Sequence, residues 1–373
     1  MISILFGAVA AAAGIYQLLA IVAALKQMRA RVMPPGPMPG VSILKPLRGL
    51  DPRFYQAIRS HAEQDYPEFE ILFGVADLSD PAVREIERLQ SDFPGVSLHL
   101  IHCTGTAPNG KVAVLADLEW HAKFPLRLVS DSDIVVGPHY LRQVLAPLND
   151  PRTGLVTCLY RASAAHWPGR WEALGIATDF AASVLVAPLF GVNEFGLGST
   201  LAFRRQQLEQ MGGFAAIADY IADDYQLGKR ISGLGLKVEL SKVVVETSLS
   251  ADSWGEVWRH QLRWARTIRV SRGGGYVGLP ITNASLWAGV ALASGWWWTA
   301  AALLLARVAM GLIVGVGVLR CPLTARYWFL IPFRDLWGGG VWLAGLQGRD
   351  VVWRDCTLRL NRDGTIQGKC VSG

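Results

Sequence analysis

The sequence predicts an α/β protein with a mostly parallel sheet, preceded by one transmembrane helix and followed by a membrane block of two to three helices. Three observations carry this. Between about residues 38 and 250, short β-branched runs alternate with helical ones, the pattern of an α/β layer. Residues 2–25 contain no charged side chain. A second apolar block runs from about 284 to 319. Of 373 residues 51% are hydrophobic, and the excess collects at these two ends.

In chain order, residues 2–25 are long enough for a bilayer core at 1.5 Å per residue. Lys26, Arg29 and Arg31 follow at once, so an anchor over 1–26 with its N-terminus outside and the next segment in the cytosol is expected. The rival is a cleaved signal peptide, whose apolar region is shorter and follows basic residues. PPGPMPG at 34–40 reads as a stiff spacer. The α/β unit spans 38–250. Its strands are VSILKPL, FEILFGVAD, VSLHLIH, LRLVSDSD, GLVTCLY and VELSKVVVE, and its helices DPRFYQAIRSHAEQ, PAVREIERLQSD, HYLRQVLAPL and DDYQLGKRISGLG. Residues 251–275 form an amphipathic interfacial helix. The membrane block covers 284–347. Arg307 interrupts it and its length is too great for one crossing, which favours two packed helices; a weaker third candidate near 327–346, with Arg334 and Asp335 as an internal pair, either crosses or lies re-entrant at the interface. Trp287, Trp296, Trp297, Trp298, Trp328, Trp337 and Trp342 suit the lipid–water boundary. Residues 348–373 are a tail whose Arg349, Arg354, Arg359 and Arg362 favour the cytosol. Five scattered cysteines fit a reduced chain without a disulfide framework. The net charge of +6 concentrates beside the membrane segments, which points to anionic lipid and not to nucleic acid.

Four stretches carry chemistry. In LRLVSDSD, Asp131 and Asp133 stand two residues apart, and on an extended chain they point to one side. Like charges beside buried strands are costly, and a hard divalent cation removes the cost; the plain alternative is a polar turn. Asp77 ends FEILFGVAD, so two strand ends carry acids into the crevice where such sheets bind ligands. In IADDYQLGKRI, Asp223 and Asp224 precede an apolar-periodic helix. One of them serves as N-cap and the other is left free. In SWGEVWRHQLRWARTIRVSR, Arg259, Arg263, Arg266 and Arg269 recur every three or four residues. This basic face suits either lipid or a diphosphate.

The ordered set of Asp77, the DSD at 131–133, ADDY at 222–225 and the RW at 263–264 ahead of membrane helices resembles the family-2-like GT-A glycosyltransferases. Within them it most resembles the ceramide glucosyltransferases (glycosyltransferase family 21) and their bacterial hopanoid-biosynthesis relatives, the bacteriohopanetetrol N-acetylglucosaminyltransferases. The resemblance covers nearly the whole chain. It implies a GT-A fold in which Asp77 contacts the uracil ring, and Asp131 and Asp133 hold Mg²⁺ or Mn²⁺ against the donor's diphosphate. It further implies that Asp224 is the general base and that Arg263 and Trp264 lie near diphosphate and acceptor. The family pattern (Q/R)xxRW has His260 at its first position here. Lys45, Pro46 and Lys111 resemble further nucleotide-site positions. FGLGSTLAFRR at 195–205 shapes the acceptor mouth or only makes a tight turn, and His166 and Trp167 are candidates for a lid.

The implied activity is inverting transfer from a UDP-sugar to a hydroxyl of a membrane lipid, at the cytosolic face of a bacterial inner membrane. UDP-N-acetylglucosamine and bacteriohopanetetrol are favoured by HxLRWARTIR and the C-terminal RDLWGGGVWLAGLQGRDVVWRD. UDP-glucose with ceramide is the alternative. A processive polysaccharide synthase and a non-catalytic membrane scaffold are the remaining rivals. Three or four helices leave little room for a polymer channel. Donor sugar, lipid, metal, number of C-terminal crossings and oligomeric state are not legible.

Overall fold

The structure is a computed structural model that describes residues 2–30, 33, 36–353 and 356–372. Arg31, Pro34, Pro35 and Arg354, read above as charge flanks and spacer, lie outside the described residues. The central sheet has the order β3-β2-β1-β4-β6-β5-β7. It is built from β1 (Val41–Leu47), β2 (Phe69–Val75), β3 (Ser97–His102), β4 (Leu126–Val129), β5 (Thr153–Ala164), β6 (Leu201–Arg204) and β7 (Lys237–Leu249). All neighbours run parallel except β6, which runs antiparallel to β4 and β5. Strand order reverses between β1 and β4, so a crevice opens there beyond their carboxyl ends.

Helices α2 (Phe54–Ala62), α3 (Ala82–Asp92), α4 (Gly110–His121) and α5 (Tyr140–Leu145) cover the parallel half. The alternation of side chains divides the core, with Ile43, Ile71, Phe73 and Leu128 on one face of the sheet and Leu44, Leu72, Val129 and Phe203 on the other. The sequence reading passed over α4. Asn109 caps it, its side chain accepting from the backbone N–H of Lys111 and Val112 at 3.0 and 3.3 Å. Buried Arg127 of β4 ties α4 down through Glu119, with Nε to Oε2 at 2.6 Å and Nη2 to Oε1 at 2.8 Å.

Helix α1 (Ile2–Arg29) is the apolar helix expected at the start. Helix α6 (Trp167–Gly175) continues through a π-helical stretch (Ile176–Phe180) into α7 (Ala181–Val186). Short α8 (Arg205–Gln210), α9 (Asp223–Gly233) and α10 (Trp254–Ser271) follow. Then come α11 (Gly273–Gly278), α12 (Ala284–Ala293), α13 (Trp297–Leu312), α14 (Pro322–Tyr327) and α15 (Ile331–Gly345). Among the described residues, Phe6–Arg29, Trp167–Phe190 and Trp297–Val318 are long and apolar enough to cross a membrane, and Gly273–Thr282 with Ala284–Ala293 makes a bent pair at 47°. Alanines dominate where α1 meets α12 and α13: Ala10, Ala13, Ala284, Ala288, Ala291 and Ala300 pack together with Leu303. Small residues let helix backbones approach closely in lipid. The Trp167–Phe190 run was not read as apolar helix at all. Much of it packs beneath β5 and against α1 and α13, through Ala177, Ala181, Ala182 and Val186.

Two expectations need correcting, and one open choice is narrowed. Arg334 and Asp335 do not pair with each other, because neighbours on a helix do not share a face. Asp335 instead takes Arg307 of α13 in a two-point ion pair, at 2.8 and 2.6 Å, and also accepts from Ser285 of α12. Arg334 turns to Gln261 of α10 at 3.1 Å. Next, of the two courses open to the third segment the shorter one fits: α15 has 15 residues, short of a ~30 Å core at ~1.5 Å per residue. It packs on α10, where Gly345 admits Tyr276 and Ala265 so closely that a Cβ would lie 2.1 Å from the tyrosine oxygen. Lastly, the tail folds as an antiparallel sheet of β8 (Asp350–Trp353), β9 (Cys356–Leu360) and β10 (Ile366–Ser372). This sheet docks on the α/β unit: the N–H of Ile221 donates to Gly364 at 3.2 Å, and that of Ile366 to Asp219 at 2.7 Å. Tail and α/β unit therefore share one side of any bilayer. Antiparallel pairing sets Cys356 opposite Ser372, and Cys356 is disulfide-bonded, against the expectation of a chain without disulfides. Cys103, Cys158 and Cys321 are free and buried.

Candidate active site

At the β1–β4 switch point lies a cavity of about 1780 Å³. Pro46, Asp77, Lys111, Asp131, Asp133, Asp224, His260, Arg263 and Trp264 all line it. Lys45 does not. It is fully buried behind the loop after β4, its Nζ donating to the Asp131 carbonyl at 2.8 Å and Ser130 Oγ at 3.4 Å. Burial pushes its pKa down to about 7, against the opposing pull of Asp133 and Asp131. Successive strand residues face opposite ways, so Pro46 reaches the cavity while Lys45 holds up its floor.

The DSD segment is not extended. β4 ends at Val129, and a turn begins at Ser132. The two carboxylates accordingly take different partners. Asp131 Oδ1 meets Lys111 Nζ at 2.7 Å, and Asp133 accepts from the Thr247 hydroxyl of β7. Ser132 Oγ donates to Asp51 at 2.5 Å. Burial first, and the nearby Asp131 second, push Asp133 up to about 6.

Neither aspartate of ADDY caps α9. Ala222 holds the cap position, and Asp223 and Asp224 open the first turn. Lys111 Nζ also reaches Asp223 at 3.3 Å. Asp224 accepts from the N–H of Gly198 at 2.9 Å and of Tyr225 at 2.7 Å. A helix N-terminus lowers a carboxyl pKa. Here burial and the adjacent Asp223 outweigh it, and Asp224 rises to about 6.

FGLG at 195–198 supplies both a tight turn and a cavity wall. A Cβ on Gly228 of α9 would stand 2.5 Å from the Phe195 and Gly196 backbone, and one on Gly196 would stand 2.6 Å from the Asp224 carbonyl. Gly198 sits between the two acids, its C=O accepting from the Asp131 N–H at 3.3 Å. A Cβ there would lie 2.8 Å from Asp131 Oδ2 and 3.5 Å from Asp224 Oδ2. Gly198→Ala is therefore expected to cut turnover by about 10²-fold, the cost of an ångström-scale misplacement. Steady-state kinetics beside a melting curve checks this: unchanged turnover contradicts the placement, and a collapsed Tm makes the effect structural.

The basic face of α10 divides. Arg259 and Arg263 line the cavity, whereas Arg266 and Arg269 donate to the carbonyls of Leu346, Gln347, Gly348 and Asp350, from the C-cap of α15 through the turn into β8. There they satisfy the cap carbonyl of that helix and fasten the turn that leads to the tail sheet. Arg263 has no ion pair among the described residues. Burial lowers its pKa, while Glu172, Asp131, Tyr160 and Asp224 act against that. His166 and Trp167 do not reach the cavity: His166 precedes α6 and faces Asp252 at 3.6 Å, and Trp167 packs edge-on against Tyr327. Sequence reading missed Glu172, a buried carboxylate of α6 whose Oε1 lies 2.6 Å from His260 Nδ1. The available signal was a charge inside an apolar helix.

Among the described residues no cluster of three or more His, Cys, Asp or Glu could hold a metal ion. Asp131 and Asp133 nevertheless suit a hard cation of the Mg²⁺ type, which uses one or two carboxylates and takes its remaining oxygens from phosphate and water. Facing strand ends of the α/β unit, the other wall of the cavity is apolar, made by Ile176, Phe180, Val184, Ala187 and Phe195.

An α/β sheet with one reversed strand, carboxylates at its switch point and an arginine helix opposite defines a nucleotide-sugar transferase architecture. A model of Glycosyl transferase family 21 matches residues 4–366, and the chain belongs to that family. It is 27% identical over 214 residues to ceramide glucosyltransferase 1 of Caenorhabditis elegans, covering 57% of this chain and 46% of the relative. With the ceramide glucosyltransferase of Candida albicans it shares 32% over 123 residues, 30% of this chain and 23% of that one. The matches thus span half or less of these relatives' length. A solved mannosyltransferase from Pyrobaculum calidifontis, in complex with GDP-Man and Mn²⁺, shares the GT-A fold with a TM-score of 0.57 at 20% identity, over 93% of this chain and 98% of that one.

Proposed function

We propose that the protein is an inverting, metal-dependent glycosyltransferase that moves a sugar from a UDP-sugar to a hydroxyl of a membrane lipid. The observation that carries this is the convergence on one cavity of Asp131, Asp133, Asp224, Arg263 and Trp264 with an apolar wall supplied by the helices around α7. The strand-end side takes the nucleotide, with Asp77 and Pro46 beside the base and Lys111 beside the diphosphate. Asp131 and Asp133 hold Mg²⁺ or Mn²⁺, which when bound offsets the negative charge gathering on the departing diphosphate. Arg263, free of ion pairs among the described residues, adds donors to the same oxygens. Asp224 takes the proton of the acceptor hydroxyl. A carboxyl raised to about 6 by burial is a stronger base than an ordinary aspartate and is still ionised at neutral pH. One base and no enzyme nucleophile give single displacement with inversion.

The α/β unit, the tail sheet and the basic ends of α1 and α10 lie on the cytosolic face of a bacterial inner membrane in this reading. For the finer substrates we propose N-acetylglucosamine from UDP-N-acetylglucosamine and bacteriohopanetetrol as acceptor. Glucose transfer to ceramide is the second reading, favoured by the curated relatives. Chelation with EDTA is expected to stop transfer, and Mg²⁺ or Mn²⁺ to restore it. Transfer that persists through exhaustive chelation contradicts the assignment of Asp131 and Asp133.

A further inference from the structure

Glu172 is 1% exposed yet lines the cavity, and its Oε2 has no hydrogen-bond partner among the described residues. Leaving a buried carboxylate oxygen unpaired is costly. Its Oε1 holds His260 Nδ1 at 2.6 Å, and the imidazole lies 4.9 Å from the Trp264 ring. A carboxylate can only accept here, so Nδ1 carries a proton and Nε2 is the ring atom left to meet a ligand. Nε2 has no partner among the described residues. The charge of Glu172 is also felt by Arg263 of α10, Tyr160 of β5 and Arg334 of α15. The pair stands on the side of the cavity formed by α6 and α10, next to Ile176 and Phe180, and Asp77, Lys111 and Asp131 belong to the strand-end side.

We propose that Glu172 is a positioning residue for the acceptor: it fixes the angle of the His260 ring so that Nε2 hydrogen-bonds a polar group of the lipid's head other than the attacking hydroxyl. The inference rests on the lipid-glycosyltransferase reading and adds to it a residue that acts on acceptor and not on donor. The attacking hydroxyl gives its proton to Asp224; His260 holds the neighbouring part of the head in place. A purely structural role, clipping α10 to α6, predicts something different, because it would disturb donor and acceptor sites together.

The test is a kinetic split on the full-length protein in detergent–lipid micelles, with the wild type, Glu172→Gln, His260→Ala, His260→Gln and the Glu172→Gln/His260→Ala double variant. KM is measured for lipid at saturating UDP-sugar and for UDP-sugar at saturating lipid. Glu172→Gln and His260→Ala are each expected to lower kcat/KM for the lipid by about 10–100-fold, the worth of a hydrogen bond involving a charged group. The donor KM should stay within about twofold of wild type over the same series. The double variant should be no worse than His260→Ala, since Glu172 acts through the ring. His260→Gln, which keeps a hydrogen-bonding group, should recover part of the loss. Equal changes in both KM values, additive losses in the double variant, or no change in the lipid KM would overturn the proposal and leave the transferase reading standing. If Glu172→Gln does not fold, the two His260 variants still decide, through the lipid-only effect and its rescue by glutamine. A wild type that transfers sugar to no lipid overturns the reading and this inference together.

Discussion

Asp224→Asn is expected to lower kcat by about 10²–10⁴-fold, the usual contribution of a positioned proton acceptor, and to leave the KM for the UDP-sugar nearly unchanged. The side chain accepts from the N–H groups of Gly198 and Tyr225, so it is aimed by backbone and not by a flexible neighbour. Asparagine fills the same space, keeps an oxygen for one of those donors and cannot take a proton. The pH dependence has a definite sign. Burial and Asp223 raise Asp224 to about 6, and a carboxylate works as a base only when ionised. Activity should therefore rise with pH, reach a plateau above about 6–7, and fall as acid protonates the group. Stability runs the other way for this residue. Its folded pKa lies above the ordinary value of 3.8, so between the two the folded state binds more protons. Its contribution to stability improves as pH falls through 6 toward 4. A scan of rate against pH checks the first point. A variant that turns over at wild-type rate removes Asp224 from catalysis.

Asp335→Ala is expected to cost about 3–5 kcal/mol, enough to prevent accumulation of folded protein, because it strands a buried guanidinium. Arg307 is 3% exposed and gives both Nε and Nη2 to Asp335. Asp335 also joins α12 to this pair through Ser285, and its backbone carbonyl accepts from Asn283 at 3.1 Å. One carboxylate thus ties three helices of the membrane block together. Replacing both partners at once, as Arg307→Met with Asp335→Leu, removes the charge and its desolvation cost together. The double variant should be far milder than the single one. Detergent-extracted yield and melting temperature provide the comparison. Equal loss in single and double variants would mean that the ion pair itself stabilises the block.

The strongest site residues were legible because each is a charge where an apolar pattern demands none. Asp131 and Asp133 follow an apolar strand, Asp224 opens an apolar-periodic helix and Arg263 lies in a Trp-rich one, and the structure gathers them at one cavity. The N-terminal helix and the parallel strands were legible by length and β-branching. Local pattern could not show what depends on partners distant in sequence. β6 has four residues inside a glycine-rich stretch, and only β4 and β5 on either side make it a strand. The tail sheet depends on docking against residues 219–221. Lys45 differs from Pro46 only by which way a strand residue points. The four arginines of α10 looked like one face, yet Arg269 lies ten residues along, about 15 Å, where α15 ends. Glu172 and His260 are 88 residues apart and meet only because α6 packs on α10.

The most direct measurement of the central claim is lipid mass spectrometry on membranes containing the protein. They are incubated with Mg²⁺, UDP-glucose and UDP-N-acetylglucosamine together, and with bacteriohopanetetrol and ceramide both present. The proposal predicts a glycolipid that is absent with Asp224→Asn, carrying an N-acetylhexosamine on the hopanoid. A hexose on ceramide would keep the enzyme and move it to the second reading. No new glycolipid from correctly folded protein, with either donor or either lipid, would contradict the proposed activity.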